Sequence, residues 1–367
     1  MARTIVGLND PKAVKKYSAM LAVDSRGQSY FGKKFMGVGV KSGMPIQMLP
    51  QLESDAGEAI SYDLVVRLRG PSIEGDDNAA GTEARLSFFT DTVYIDQSRK
   101  GVDAGGRMTR KRTIHDLRDV AKNLLAEYWA AKFDEEFFMY LSGARGVNDG
   151  FNEPLGYTGR ANNSFTAPDA NHIIYGGAAT SKATVASTDK ASVTLIDKFV
   201  SRARMLNVNS SSIPAMKPIM VDGEERYVAL FNPWQMYDIR TEAGAGKWLD
   251  IQKAAAAAEG QNNPIFKGNH GMYRGVVLHE HENVIQFSDY GAGSNVSAVR
   301  GLALGNQAGV CAFGSPGTGL RFDWTEETED RGNRLIVTTN TIYGVKKATY
   351  NSIDIGVMAL DTAAVAP

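Results

Sequence analysis

Between Ile60 and Gln97 the sequence switches to a two-residue period, and this stretch restricts the fold more than any other. Ile60, Tyr62, Leu64, Val66 and Leu68 alternate with Ser61, Asp63, Arg67 and Arg69, and a second run from Leu86 to Ile95 is rich in aromatic, threonine and β-branched residues. Both read as strands, because alternate side chains of an extended chain point to opposite faces. The segment joining them, Gly70 to Gly81, is polar and holds Pro71, Gly75, Asp76, Asp77 and Asn78, far more than a tight hairpin needs. Each strand would reach roughly 30 Å at about 3.3 Å per residue. A two-stranded ribbon of that reach is marginal alone, so it is expected to lie on something else, and a second copy of the chain is the natural candidate.

The remaining chain can support such a ribbon. With 367 residues, 43% of them hydrophobic and 22% charged, it is long enough for two or three lobes around a substantial core. A formal net charge of −1 argues against a dedicated nucleic-acid binder, which needs a basic excess to displace phosphate counterions. The single cysteine, Cys311, excludes intramolecular disulfides and thiolate zinc clusters and fits assembly in a reducing cytoplasm. Neither a membrane-spanning run nor an apolar stretch of signal-peptide length after Met1-Ala2-Arg3-Thr4 is present.

Helix signals punctuate the chain. Asp10-Pro11 reads as a cap and first-turn proline, followed by Ala13, Val14, Tyr17, Met20 and Leu21 on one face and Gly27 at the end. Residues 1 to 50 are locally basic, either a solvated arm or one that touches an acidic neighbour or DNA. The longest helix is expected to start at a Thr113 cap and run through Ile114, Leu117, Ala121, Leu124, Tyr128, Ala131, Phe137, Phe138 and Leu141 to Gly143, about 42 Å at 1.5 Å per residue. From Val147 to Lys190 the composition suits an irregular connection. A helix from Ser192 carries Leu195, Ile196, Phe199, Val200 and Ala203, a strand spans Arg226 to Phe231, and Asn232-Pro233 opens a short helix. Leu249 to Glu259, with five consecutive alanines, reads as a small-residue helix. Strands follow at Gly275 to Glu282, Asn283 to Phe287, Leu302 to Phe313, Leu335 to Thr341 and Val345 to Met358, and the tail Asp361 to Pro367 carries no core signal. The whole is a mixed α+β chain.

Chemistry-bearing motifs are weak. Gly244-Ala245-Gly246-Lys247 lacks the leading glycine and trailing Ser or Thr of a phosphate loop, since Thr241 and Trp248 stand there. His279-Glu280-His281-Glu282 places two histidines on one strand face, but the spacing of helical metalloprotease ligands is absent, and an exposed polar strand end is expected. Cys311 sits in an apolar run and reads as a buried, inert thiol. No Gly-x-Ser-x-Gly elbow occurs. No catalytic, cofactor-binding or metal-binding residues are therefore assigned. Charge points elsewhere: Arg107, Arg110, Lys111 and Arg112 precede the long helix, where cations oppose its dipole and suggest an outside partner, while Glu74, Asp76, Asp77 and Glu83 decorate the ribbon tip. Head-to-tail packing around a ring would use such complementary ends, and Arg67, Arg69 and Arg85 on the ribbon join them as expected subunit-interface residues.

The order of arm, ribbon, long helix and compact β-rich half resembles the Hong Kong 97-type capsid fold. At residue level Tyr30-Phe31-Gly32-Lys33-Lys34-Phe35-Met36, Asp55-Ala56-Gly57, Glu83 with Leu86-Ser87-Phe88, and Val93-Tyr94-Ile95-Asp96-Gln97 resemble the major capsid proteins of Enquatrovirus phages. Asp116-Leu117-Arg118, Asn263-Pro264-Ile265-Phe266-Lys267-Gly268 with Gly271 and Gly275-Val276, and Asp330-Arg331-Gly332-Asn333 continue the likeness, which covers most of residues 28 to 360.

That resemblance implies an α+β coat subunit forming hexamers and pentamers of an icosahedral phage head around double-stranded DNA, assembled in the bacterial cytoplasm. It divides the chain into an N-terminal arm (1–58), an extended hairpin loop (59–98), a peripheral domain with the spine helix and an insertion (99–190), an axial domain (191–300), and returning strands with a tail (301–367). It implies a portal, a separate scaffolding protein, a possible decoration protein and non-specific contact with packaged DNA, with no cofactor. No lysine lies between Asp55 and Gln97, so covalent cross-linking through that loop is not expected. Two alternatives differ in class: an encapsulin-like compartment shell, and a metal-dependent hydrolase using His279 and His281.

Overall fold

In a computed structural model, the described residues are 11–39, 42–53, 57–65, 72, 88–113, 116–160, 162–209, 213–221, 223–242, 269–316 and 321–367. Two sheets and one long helix organise them. The first sheet has six strands ordered Met36–Val38, Ile46–Leu49, Gly309–Gly314, Arg334–Lys347 and Phe322–Glu329, with Asp96–Asp103 also pairing with Arg334–Lys347. The second has eight, running Asn269–Tyr273, Val276–Glu280, Glu224–Phe231, Val296–Leu304, Val357–Ala363 and Ile173–Tyr175, with Gln286–Tyr290 and Ile219–Val221 paired off this path.

The eight-stranded sheet is covered on both faces, and alternation divides its residues between two cores. Val228, Leu230, Val277, Leu302 and Leu304 face the long helix and the arm, while Tyr227, Ala229, Phe231, Val276 and Leu278 face the helices Val193–Asn209 and Pro233–Thr241. With both faces buried such strands read as continuous apolar runs rather than alternating ones. That explains why Leu302 to Phe313, expected as one strand, is two: Val296–Leu304 and Gly309–Gly314 belong to different sheets.

Leu117–Ser142, a 26-residue helix about 39 Å long, crosses both sheets. Trp129 and Phe133 pack on Phe322, Phe313 and Tyr343 of the six-stranded sheet, and the Ser142 carbonyl accepts from Arg300 of the other at 2.9 Å. Its cap is Asp116, whose side chain accepts from the Arg118 amide, and Gly143 ends it at φ 71°. The expected Thr113 cap is corrected: Thr113 closes a separate short helix, Arg107–Arg112.

The helix Pro11–Gln28 is present, and Leu21, Phe31, Phe35, Ile46 and Met48 are buried in the main core. Asn232 caps Pro233–Thr241 through the Trp234 amide, as its sequence predicts. The tail requires correction. Val357–Ala363 is a fully buried inner strand between Val296–Leu304 and Ile173–Tyr175, so Asp361 to Ala363 belong to the core. The alanine run and Gly244–Lys247 lie outside the described residues.

Candidate assembly interface

The ribbon begins with Ala59–Val65 paired antiparallel to Phe88–Tyr94, from Ala59 opposite Tyr94 to Val65 opposite Phe88. Ile60, Tyr62 and Val93 are buried against Leu49, Leu52, Val310, Ala312 and Ile355. The Tyr62 hydroxyl donates to Asp91 at 2.8 Å, and Lys346 pairs with Asp91 and donates to the Thr92 carbonyl at 3.0 Å. The expectation of a ribbon that cannot bury itself is thus corrected at its root: one apolar face of a period-two strand covers the outer face of the six-stranded sheet. Arg67, Arg69, Glu74, Asp76, Asp77, Glu83 and Arg85, expected at the interface, lie outside the described residues.

The basic run forms the short helix Arg107–Arg112 rather than the first turn of the long one. Arg110, Lys111 and Arg112 occupy its last turn, where a helix dipole favours cations. The Arg107 amide donates to Asn333 Oδ1 at 3.1 Å, its Nε to the Gly332 carbonyl at 3.2 Å, and Arg110 Nη2 to the Asn333 carbonyl at 3.2 Å. These bonds clasp a turn in which Asp330, Arg331 and Gly332 all have positive φ (49°, 51° and 82°). Two of the four cations are therefore engaged within the chain, whereas Lys111 and Arg112 are exposed, as is Met108.

Three consecutive carboxyls in the long helix tie separate segments together. Successive residues point about 100° apart. Asp134 accepts from Ser29 Oγ (2.8 Å) and the amides of Tyr30 (2.7 Å) and Phe31 (3.0 Å), fixing the arm. Glu135 accepts from the Asn152 amide (2.9 Å) and Nδ2 (2.8 Å), fixing the following loop. Glu136 accepts from the Tyr343 hydroxyl at 2.8 Å, fixing the long strand. Burial raises all three pKa values, that of Asp134 to about 6, although the arm's amides and Ser29 oppose the rise.

Two further clusters escaped the sequence reading. Arg300 Nε and Nη2 each reach Asp361 at 2.8 Å, and Tyr290 donates to Asp361 at 2.5 Å. Lys347 pairs with Asp354 at 2.8 Å, and Asp169 accepts from the Asp354 amide at 2.9 Å and lies 2.8 Å from His172 Nδ1. Each cluster is closed by a partner distant in sequence, Asp361 for Arg300 and Tyr290 and Asp169 for Asp354, so spacing gave no signal. An aspartate ending the apolar run Val357 to Leu360 was the available hint for Asp361.

The remaining motifs are structural. His279 is fully buried, a correction to the expected exposed strand end, and it packs edge-on to Phe35. His281 lies tilted against the rings of Tyr30 (4.5 Å) and Phe138 (4.9 Å); burial and neighbouring Lys34 lower its pKa to about 4. Among the described residues no group of three His, Cys, Asp or Glu side chains is placed to hold a metal ion. Cys311 is buried, and burial pushes its thiol pKa up.

The family of phage capsid proteins matches residues 5–366. The fold is similar to the capsid of Ralstonia phage GP4 (50% identity, TM-score 0.87, 100% of this chain and 99% of that one). It is also similar to the capsid of cyanophage Pam1 at 22% identity (TM-score 0.68, 90% and 91% covered), which supports the fold alone. The major capsid protein of Pseudomonas phage KPP25 is 26% identical over 332 residues, 87% of this chain and 85% of that one. The chain belongs to the phage capsid protein family. It is a phage major capsid protein, a structural subunit of the shell and hence part of the virion head.

Proposed function

We propose that this subunit builds hexamers and pentamers of an icosahedral head of the Hong Kong 97 type, enclosing double-stranded DNA and catalysing no reaction. In this reading residues 1–58 are the arm, 59–98 the extended loop, 99–190 the peripheral domain, 191–300 the axial domain and 301–367 the returning strands. The subunit is of the Enquatrovirus type, assembles in the host cytoplasm with a separate scaffolding protein and a portal, and touches packaged DNA non-specifically. The acidic tip residues Glu74, Asp76, Asp77 and Glu83 meet cationic surface of the next copy, with Arg107, Arg110, Lys111 and Arg112 contributing to intersubunit contact alongside Arg67, Arg69 and Arg85.

The observation that carries the reading is the clamped ribbon root. Ile60, Tyr62 and Val93 anchor it to its own sheet, while the segment beyond, Gly70 to Gly81, is too polar to build a core. Deleting Gly70 to Gly81 is the test. The shortened chain should keep its urea midpoint, because the root stays, and should lose particle formation by negative-stain microscopy. Wild-type particle yield from the shortened chain would count against the reading.

A further inference from the structure

A groove of about 550 Å³ lies between the first helix and the six-stranded sheet, bordered by Val23, Arg26, Lys33, Glu53 and Arg321. Arg321 is neutralised by Glu53 at 2.7 Å and lies 4.7 Å over the Phe313 ring. Arg26 and Lys33 are exposed, and neither has an ion-pair partner among the described residues. Behind the groove, sharing Ala22, Arg26, Gly32 and Arg321 with it, opens a narrow apolar slot lined by Met36, Phe133, Phe137, Phe313 and Phe322. Its free volume of about 30 Å³ accommodates roughly two water-sized spheres, enough for the end of one aliphatic side chain. An apolar recess with cations at its mouth selects a single aliphatic group followed by carboxylates.

The ribbon tip fits that description. Between Gly70 and Arg85, Ile73 is the sole large apolar residue, and it is followed by Glu74, Asp76 and Asp77 with no intervening cation. We propose that the groove receives this ribbon tip from a second copy, Ile73 entering the aromatic slot and the three carboxylates facing Arg26 and Lys33. The inference rests on the coat-subunit reading and names the receptor for its ribbon. A second copy is required by the faces involved. The ribbon root packs on Val310 and Ala312, whereas Phe313 and Phe322 of the slot belong to the core on the other side of that sheet. Alternate residues of a strand point oppositely, so the root and the receptor of one chain are separated by its own sheet.

Engineered cysteines test the contact, since the native Cys311 is buried and contributes little background. The full chain carrying Ile73→Cys with Ala22→Cys is assembled under reducing conditions, checked by microscopy and then oxidised. Particles of the double variant should yield a thiol-reversible ladder of linked chains on denaturing gels, and particles of either single variant should not. Assembled particles that give no ladder, or a disulfide confined within one chain, would overturn the contact. A second measurement covers variants that assemble poorly. Arg26→Glu with Lys33→Glu should cut particle yield at least tenfold, and adding Glu74→Lys with Asp77→Lys should restore it. Undiminished yield from the first pair, or no recovery in the second, also overturns the proposal. Failure of the unaltered chain to form particles or capsomers would instead strike the coat-subunit reading itself.

Discussion

Asp134 shows how one buried carboxyl links stability to pH. Its pKa in the fold, about 6, lies above the ordinary 3.8, so the native state holds a proton more tightly than the unfolded chain does. The stability from the neutral form is therefore present at low pH and declines as pH rises from about 4 to about 6. A shift of this size corresponds to a loss on the order of 3 kcal/mol. Urea midpoints of the wild type should fall between pH 4 and pH 6.5, and Asp134→Asn should flatten that slope; an unchanged slope would discard the assignment. Asp361 behaves differently because it is already paired. Asp361→Ala strands Arg300, whose side chain is 9% exposed, at a cost of about 3–5 kcal/mol. Replacing both partners, as Arg300→Met with Asp361→Leu, should recover much of the midpoint shift. If the double replacement is no better than the single one, lost charge pairing is not the cause.

At the scale of elements, what could be read from the sequence depended on whether an element's signal was local. The long helix was legible because Leu117, Ala121, Leu124, Tyr128 and Ala131 repeat at helical spacing and Gly143 provides the left-handed stop, but its buried stripe runs through Ala121, Leu125, Trp129 and Phe133 and leaves Leu124 54% exposed. Its start was misplaced by three residues because Thr113 and Asp116 are both good caps, and only the separate turn Arg107–Arg112 decides between them. The strand Arg334–Lys347 alternates in burial along most of its length, yet Gly344 made it look like two. That glycine is no breaker: a Cβ there would lie 2.0 Å from the Tyr94 carbonyl, so the absent side chain lets the ribbon root approach the sheet. Gly344→Ala should therefore lower stability by about 1–3 kcal/mol through overpacking. It should also loosen the ribbon root, seen as faster amide exchange at Ile60 and Val93. Wild-type exchange at those amides would show that the close approach is dispensable.

Across the whole molecule, both ends of the chain supply strands to sheets built mainly by the C-terminal half. Ile46–Leu49 pairs in parallel with Gly309–Gly314, and Val357–Ala363 fills an inner position of the second sheet. Pairings over such separations leave no periodic trace, which is why the last residues looked like a free tail. Their burial is decisive: Asp361 and Thr362 are 0% exposed and Ala364 1%, whereas Val365 is 59% exposed. The chain should therefore tolerate truncation up to one sharp position. Ending it after Ala364 removes only exposed residues and should leave the unfolding free energy from urea titration within about 0.5 kcal/mol of wild type. Ending it after Leu360 removes the Arg300 counter-charge and the pairing of Asp361, Thr362 and Ala363 with Val296–Leu304, so the product should accumulate as insoluble protein. A soluble, cooperatively unfolding chain ending at Leu360 would mean that the second sheet closes without its last strand, and the assignment of that strand to the core would have to be abandoned.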